Sequence, residues 1–136
     1  GSATIVDGVP TLTYSVICGE VIVNAVPANL SDPYLVEWVK PDYNPILTRP
    51  NGTAGFRDPT EGFKGKDGLW RMVTGCDAGP CLFKSPDFVN WTKTDDYLFN
   101  SVDGTFYECP DFFQIPGSDN WMLKGSWHWQ EWWILG

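Results

Sequence analysis

The stretch FYECPDFF, Phe106 to Phe113, sets a glutamate between an aromatic ring, a thiol and a proline inside an otherwise apolar segment. Upstream, FRDPT at Phe56 to Thr60 sets an arginine and an aspartate ahead of a proline. Each stands at the head of a series of short, strand-like runs. After FRDPT come LWRMVTG, PCLFKS and WTKTDDYLF; after YECPD come NWMLKGSW and QEWWILG. The offset from Asp58 to Glu108, 50 residues, is comparable to one four-stranded propeller blade of about 40–50 residues. In a propeller the innermost strands line a common axis, so charged residues at their entries converge on one axial pocket. The expected fold is all-β, with both motifs facing that cavity.

The rest of the chain is consistent with short strands and frequent turns. SATIV, PTLTYSVI and EVIVNAV precede FRDPT, and Asp7-Gly8 between the first two is a hairpin signal. Lys66-Asp67-Gly68, Asp77-Ala78-Gly79-Pro80 and Pro116-Gly117-Ser118-Asp119-Asn120 mark further turns. ANLSDPYLVEWVKPDYNPIL, with three prolines, reads as a long connection crossing from one sheet to the next. No stretch reads as a helix.

Composition narrows the partners. The 136 residues are enough for one small domain. A net charge of −8 without basic runs argues against nucleic acid and anionic membrane surfaces. No apolar run approaches the ~20 residues that span a bilayer. Eight tryptophans suit a sugar-handling cleft, because the C–H faces of sugars pack on rings, although core packing is the ordinary role of such residues. Cys18, Cys76, Cys81 and Cys109 lack metal-ligand spacing, and Cys76 and Cys81 are close enough to close a short loop. The sole histidine, His128, cannot build a usual metal site, so neither metal nor cofactor is expected. Three sequons, at Asn29, Asn51 and Asn90, lean toward a secreted, cell-wall or vacuolar glycoprotein.

The carboxylates carry the chemistry. Two carboxyl groups in contrasting surroundings can divide their roles, one holding a proton to donate and one staying ionised. Glu108, among Phe106, Tyr107, Phe112 and Phe113, is expected in an apolar enclosure that keeps a donor protonated. Asp58 lies beside Arg57, whose charge favours a permanent anion. The plainer alternative is a glutamate pointing to solvent from a strand edge and a turn with a local ion pair. Asp111 reads either as a supporting partner of the site or as a strand-end cap, and Cys109 as a buried packing residue beside it. Trp127, Trp129, Trp132 and Trp133 read as core or edge packing, with some of them candidates to line the funnel.

FRDPT, then KSPDFVNW, then YECPDFF, in that order and preceded by GSATI and ANLSDPYLVEWVKPDYNPIL, resembles glycoside hydrolase family 32, and in its long connection the plant acid-invertase branch. The resemblance implies about two blades of a five-bladed β-propeller, residues 1–136 forming a partial catalytic domain. The first blade, the last blades and a C-terminal β-sandwich are expected outside it. It also implies a retaining β-fructofuranosidase site acting on sucrose or fructans, with Glu108 as general acid/base and Asp58 as transition-state stabiliser. Arg57, Asp58 and Tyr107 would bind substrate. The family's nucleophile lies in a segment of the type W-M-N-D-P-N-G, which is not among these residues, so the attacking group is expected outside this stretch. Two other readings stand beside hydrolysis: fructosyl transfer to a sugar acceptor, and a sugar-binding or structural fragment inactive by itself. The segment after Lys124, GSWHWQEWWILG, replaces a family segment that commonly carries acidic residues beside the leaving-group site.

Overall fold

The computed structural model describes residues 1–16, 20–51, 55–76, 79–98, 108–127 and 129–136, with the side chains of residues 96 and 97 excepted. Cys18, Tyr107 and His128, together with Asp77, Ala78 and Phe106, lie outside the described residues. The described residues form strands and turns with no helix, in three successive antiparallel sheets.

The first sheet contains β1 (Ser2–Val6), β2 (Val9–Val16), β3 (Val21–Pro27) and β4 (Trp38–Val39), with β5 (Leu47–Thr48) also pairing β3. Asp7 and Gly8 join β1 to β2 with φ of 48° and 86°, the doubly left-handed geometry of a tight hairpin whose twist matches its strands. The proline-rich segment does more than cross between sheets. It returns twice to β3, pairing Val39 with Val26 and Leu47 with Ile22. The Asn44 side chain supports this return by accepting from the Asn24 N–H and donating to the Asn24 carbonyl, each at 2.8 Å. A run of prolines cannot form a continuous ladder, so short pairings and side-chain amides do the holding.

The second sheet runs β6 (Phe63–Lys64), β7 (Trp70–Thr74), β8 (Cys81–Ser85) and β9 (Thr92–Tyr97). Its buried residues meet those of the first sheet in one core of Ile22, Ile46, Leu47, Phe56, Met72, Cys76, Cys81 and Phe83. Phe56 and Phe83 pack edge to face at 5.8 Å between centroids. Cys76 and Cys81 are disulfide-bonded across the β7–β8 turn. The S-x-D-F-x-x-W stretch acts as a clasp. Asp87 accepts from the N–H groups of Val89 and Asn90, Phe88 sits between Trp70 and Trp91, and the Phe88 carbonyl accepts from Asn24 Nδ2 of the first sheet.

The third sheet, β10 (Glu108–Gln114), β11 (Trp121–Trp127) and β12 (Gln130–Leu135), docks on the second through Phe63, Phe112 and Trp121, whose ring centroids lie 4.6–5.4 Å apart. The described strands thus make two sheets of at least four strands and three strands of another.

Candidate active site

FRDPT and ECPD are built alike, and the likeness fixes the site. Arg57 bridges Gly75 and, two positions back along the second strand, Val73 accepts from the Thr60 N–H. On the third sheet Glu108 pairs with Ser126 and Asp111 with Lys124, again three residues forward against two back. Each first strand therefore holds one extra residue, a bulge, which bends the chain and re-aims its side chains. Asp58 and Cys109 occupy the extra position with φ of 59° and 47°. A left-handed residue costs on the order of 1–2 kcal/mol, less for Asp, which bonds locally. Pro59 and Pro110 follow, both buried, where a missing N–H costs the ladder nothing. The structure therefore corrects the repeat by one residue. Arg57 is equivalent to Glu108, and Asp58 to Cys109, at an offset of 51 rather than 50.

Equivalent residues also meet one another. The Arg57 guanidinium donates to Glu108 Oε1, and its Nε lies 3.9 Å from Asp58 Oδ2. The Cys109 N–H donates to Asp58 Oδ2 at 3.1 Å, and the thiol reaches the same oxygen at 3.6 Å. One guanidinium thus stands between the two candidate carboxylates, and the backbone of one motif holds the carboxylate of the other. Beside Arg57 opens a cavity of about 260 Å³ lined by Ser15, Val16, Glu20, Phe56 and Arg57. A larger cavity, about 750 Å³, lies around Phe63, Lys64 and Trp121, toward the opposite end of the strands.

Three expectations need correcting. Phe106 and Tyr107 lie outside the described residues, and among the described ones no apolar rings enclose Glu108, whose side chain is 47% exposed and faces Arg57. The bulge turns it there, while Phe112 turns to Phe63 and Trp121, and Phe113 points outward. Cys109 is exposed, not a buried packing residue, because its left-handed backbone lifts it out of the pleat. Partial burial of the group, and then the Asp58 carboxylate beside it, push its thiol up, which leaves it a proton donor to Asp58. Of the core-or-edge reading of the tryptophans only the core half falls: Trp129, Trp132 and Trp133 are exposed on the last hairpin, whose β12 is an edge strand among the described residues.

Asp111 sits across the strands from Lys124, which pairs with Glu131 at 2.8 Å. Glu131 also accepts from Ser126 Oγ at 2.7 Å. The hydrogen bonds from Lys124 and Ser126 hold the Glu131 carboxyl down, and the bond to Glu131 pushes Lys124 up. The Ser126–Glu131 rung continues directly from Glu108, a placement that only the strand register reveals. Among the described residues no group of three His, Cys, Asp or Glu side chains is placed to hold a metal ion. Asn29, Asn51 and Asn90 are all exposed, and the Asn90 amide donates to Asp87 at 2.7 Å.

Comparison with known proteins accords with this geometry. The sequence profile of the glycosyl hydrolases family 32 N-terminal domain matches residues 1–132. A fructan 1-exohydrolase of Aegilops speltoides is 44% identical over 134 residues, covering 88% of this chain and 22% of that relative. An insoluble-isoenzyme beta-fructofuranosidase of Arabidopsis thaliana is 44% identical over 128 residues, covering 85% of this chain and 23% of that relative. The chain thus spans less than a quarter of the length of these relatives. Among solved structures, fructan 1-exohydrolase IIa of Cichorium intybus superposes with a TM-score of 0.89 at 35% identity, covering all of this chain and 30% of that one. The same exohydrolase has also been solved in complex with 1-kestose. The three sheets are therefore part of a β-propeller, and the chain belongs to glycoside hydrolase family 32, within its N-terminal domain.

Proposed function

We propose that this chain supplies the proton donor and the transition-state-stabilising carboxylate of a retaining β-fructofuranosidase. The observation that carries the reading is the meeting of Arg57, Asp58, Glu108 and Cys109 at one end of the sheets. Asp58, fixed by the Cys109 N–H, presents an oriented acceptor for fructose hydroxyls. Hydrogen bonds to a charged group are worth about 1.5–3 kcal/mol. Glu108, half exposed at the head of β10, is open to the oxygen that links fructose to its leaving group. Arg57 holds it in place between turnovers and binds substrate with Asp58.

The reaction is a double displacement. An attacking carboxylate from outside these residues bonds to the anomeric carbon while Glu108 protonates the departing oxygen. Water, deprotonated by Glu108, then cleaves the fructosyl–enzyme ester. Sucrose and fructans are the substrate class, by similarity to the exohydrolase and fructofuranosidase relatives. The sequons at Asn29, Asn51 and Asn90 support a secreted, cell-wall or vacuolar glycoprotein. The test is to follow the anomeric configuration of newly released fructose by proton NMR, using the protein that carries this chain and 1-kestose. Net retention is expected, and inversion overturns the mechanism. The 136-residue chain by itself is expected to release no fructose from sucrose or inulin, and turnover by it would overturn the placement of the nucleophile.

A further inference from the structure

FRDPT is fastened to β7 at two places. At the first, Val73 accepts from the Thr60 N–H at 2.9 Å, and the Val73 N–H donates to the Thr60 hydroxyl at 3.0 Å. At the second, Arg57 and Gly75 exchange main-chain hydrogen bonds of 3.4 and 2.8 Å. The two anchors differ in what stands behind them. Val73 is paired in register with Leu82 of β8, but the β7–β8 ladder ends at the pair of Thr74 with Cys81. Gly75 lies one residue past that last rung, where a strand end opens most easily. The attachment is continued there by a covalent bond, because the next residue, Cys76, is disulfide-bonded to Cys81. The Thr74 hydroxyl donates to Cys76 Sγ at 3.7 Å, and the Gly79 N–H donates to the Cys76 carbonyl at 3.4 Å. Both cysteines are fully buried, in the same core as Phe56, the residue before Arg57. Global stability is not what this bond serves best. It joins residues only 5 apart in sequence, and the constraint a disulfide puts on the unfolded chain grows with loop length. Five register pairs already hold β7 to β8 without it. Its particular effect falls on Gly75, and through Gly75 on Arg57.

We propose that the Cys76–Cys81 disulfide is a positioning element of the candidate active site, holding Gly75 where it sets the Arg57 guanidinium between Asp58 and Glu108. This rests on the fructosidase reading above. The test uses the protein that carries this chain, with Cys76→Ala and Cys81→Ala made together. A site group displaced by about an ångström loses on the order of 10- to 100-fold in rate, and a fall of that size in kcat/KM on 1-kestose is expected. The same pair of changes is then made in the Arg57→Ala protein. If the disulfide acts through Arg57, its removal there costs less than about twofold, the scatter ordinarily seen between independent sites. An equal fall in both backgrounds makes the bond a structural one and overturns the proposal, as does no fall in either. The Arg57 Nε–H resonance, assigned with Arg57→Lys, gives a readout apart from activity. It is expected to move when the disulfide is removed, and an unmoved resonance overturns the proposal. Cys76→Ala with Cys81→Val refills more of the buried space and takes the place of the alanine pair should that pair not fold. If neither pair folds, the bond is a requirement of the fold and the proposal fails. If the unaltered protein hydrolyses no fructoside, the fructosidase reading fails instead, and the resonance still decides whether the disulfide positions Arg57.

Discussion

Replacing Arg57 by alanine separates a structural ion pair from a functional one. In the folded chain the guanidinium touches Glu108 and approaches Asp58, but its side chain is 45% exposed and that of Glu108 is 47% exposed. An ion pair this open contributes about 0.2–1 kcal/mol to stability. The backbone pairing survives the substitution, since Arg57 and Gly75 exchange main-chain hydrogen bonds at 3.4 and 2.8 Å. In the protein that carries this chain, which the rate measurements require, 1 kcal/mol moves Tm by no more than about 2–4 °C, so the melting temperature should fall by no more than that. Activity should fall much further. Losing a charge-assisted hydrogen bond to substrate or to the acid costs about 1.5–3 kcal/mol, which is about 10- to 150-fold in kcat/KM. Arg57→Lys keeps the charge but loses the fork that spans two carboxylates, so it should recover only part of the loss. Thermal melts by circular dichroism and initial rates on 1-kestose measure the two effects on the same samples. A large drop in Tm with a proportionate loss of activity, or no loss of activity at all, would refute this account of Arg57.

Asp87 gives a pH-dependent prediction. Hydrogen bonds from the Asn90 backbone and side chain, and from Val89, hold its carboxyl below the ordinary 3.8. A depressed acid stabilises the fold fully above about pH 5, and that contribution drains away as pH falls below 4. Asp87→Asn should therefore lower Tm at pH 7, and the difference from the unaltered protein should shrink as acid melts are taken from pH 4 downward. A difference that stays constant with pH would contradict it. Phe83→Ala removes a ring only 1% exposed that packs edge to face on Phe56, and should cost about 3–5 kcal/mol by urea unfolding. A cost below 1 kcal/mol would mean that the first two sheets do not share that core.

The all-β architecture was legible because strand periodicity and turn chemistry are local. Asp7-Gly8 and Lys66-Asp67-Gly68 make the turns their residues suit, and Gly68 takes the positive φ of 77° that such a turn uses. The two motifs were legible as a pair, but their register was not. The sequence offers two charged residues to align, Asp58 with Glu108, whereas the fold aligns the residues that share a bulge, Asp58 with Cys109. A bulge is a hydrogen-bonding pattern between strands, and no single stretch encodes it. The surroundings of Glu108 were misread for the same reason. The extra residue at the bulge shifts the alternation, so Phe112 falls on the face opposite Glu108, and Phe113 is exposed rather than packed over it. The Ser126–Glu131 rung follows from strand pairing alone. Cys76 and Cys81, near in sequence, required only a turn to meet.

The central claim is that Glu108 donates the proton to the leaving group, and the dependence on leaving group tests it most directly. Glu108→Gln in the protein carrying this chain should lose about 10²- to 10⁴-fold on 1-kestose, whose leaving oxygen needs a proton. On β-fructosyl fluoride, whose leaving group needs none, the same variant should release a rapid burst of fluoride stoichiometric with enzyme, at close to the unaltered rate. Equal losses on the two substrates would contradict the account and make Glu108 a binding residue.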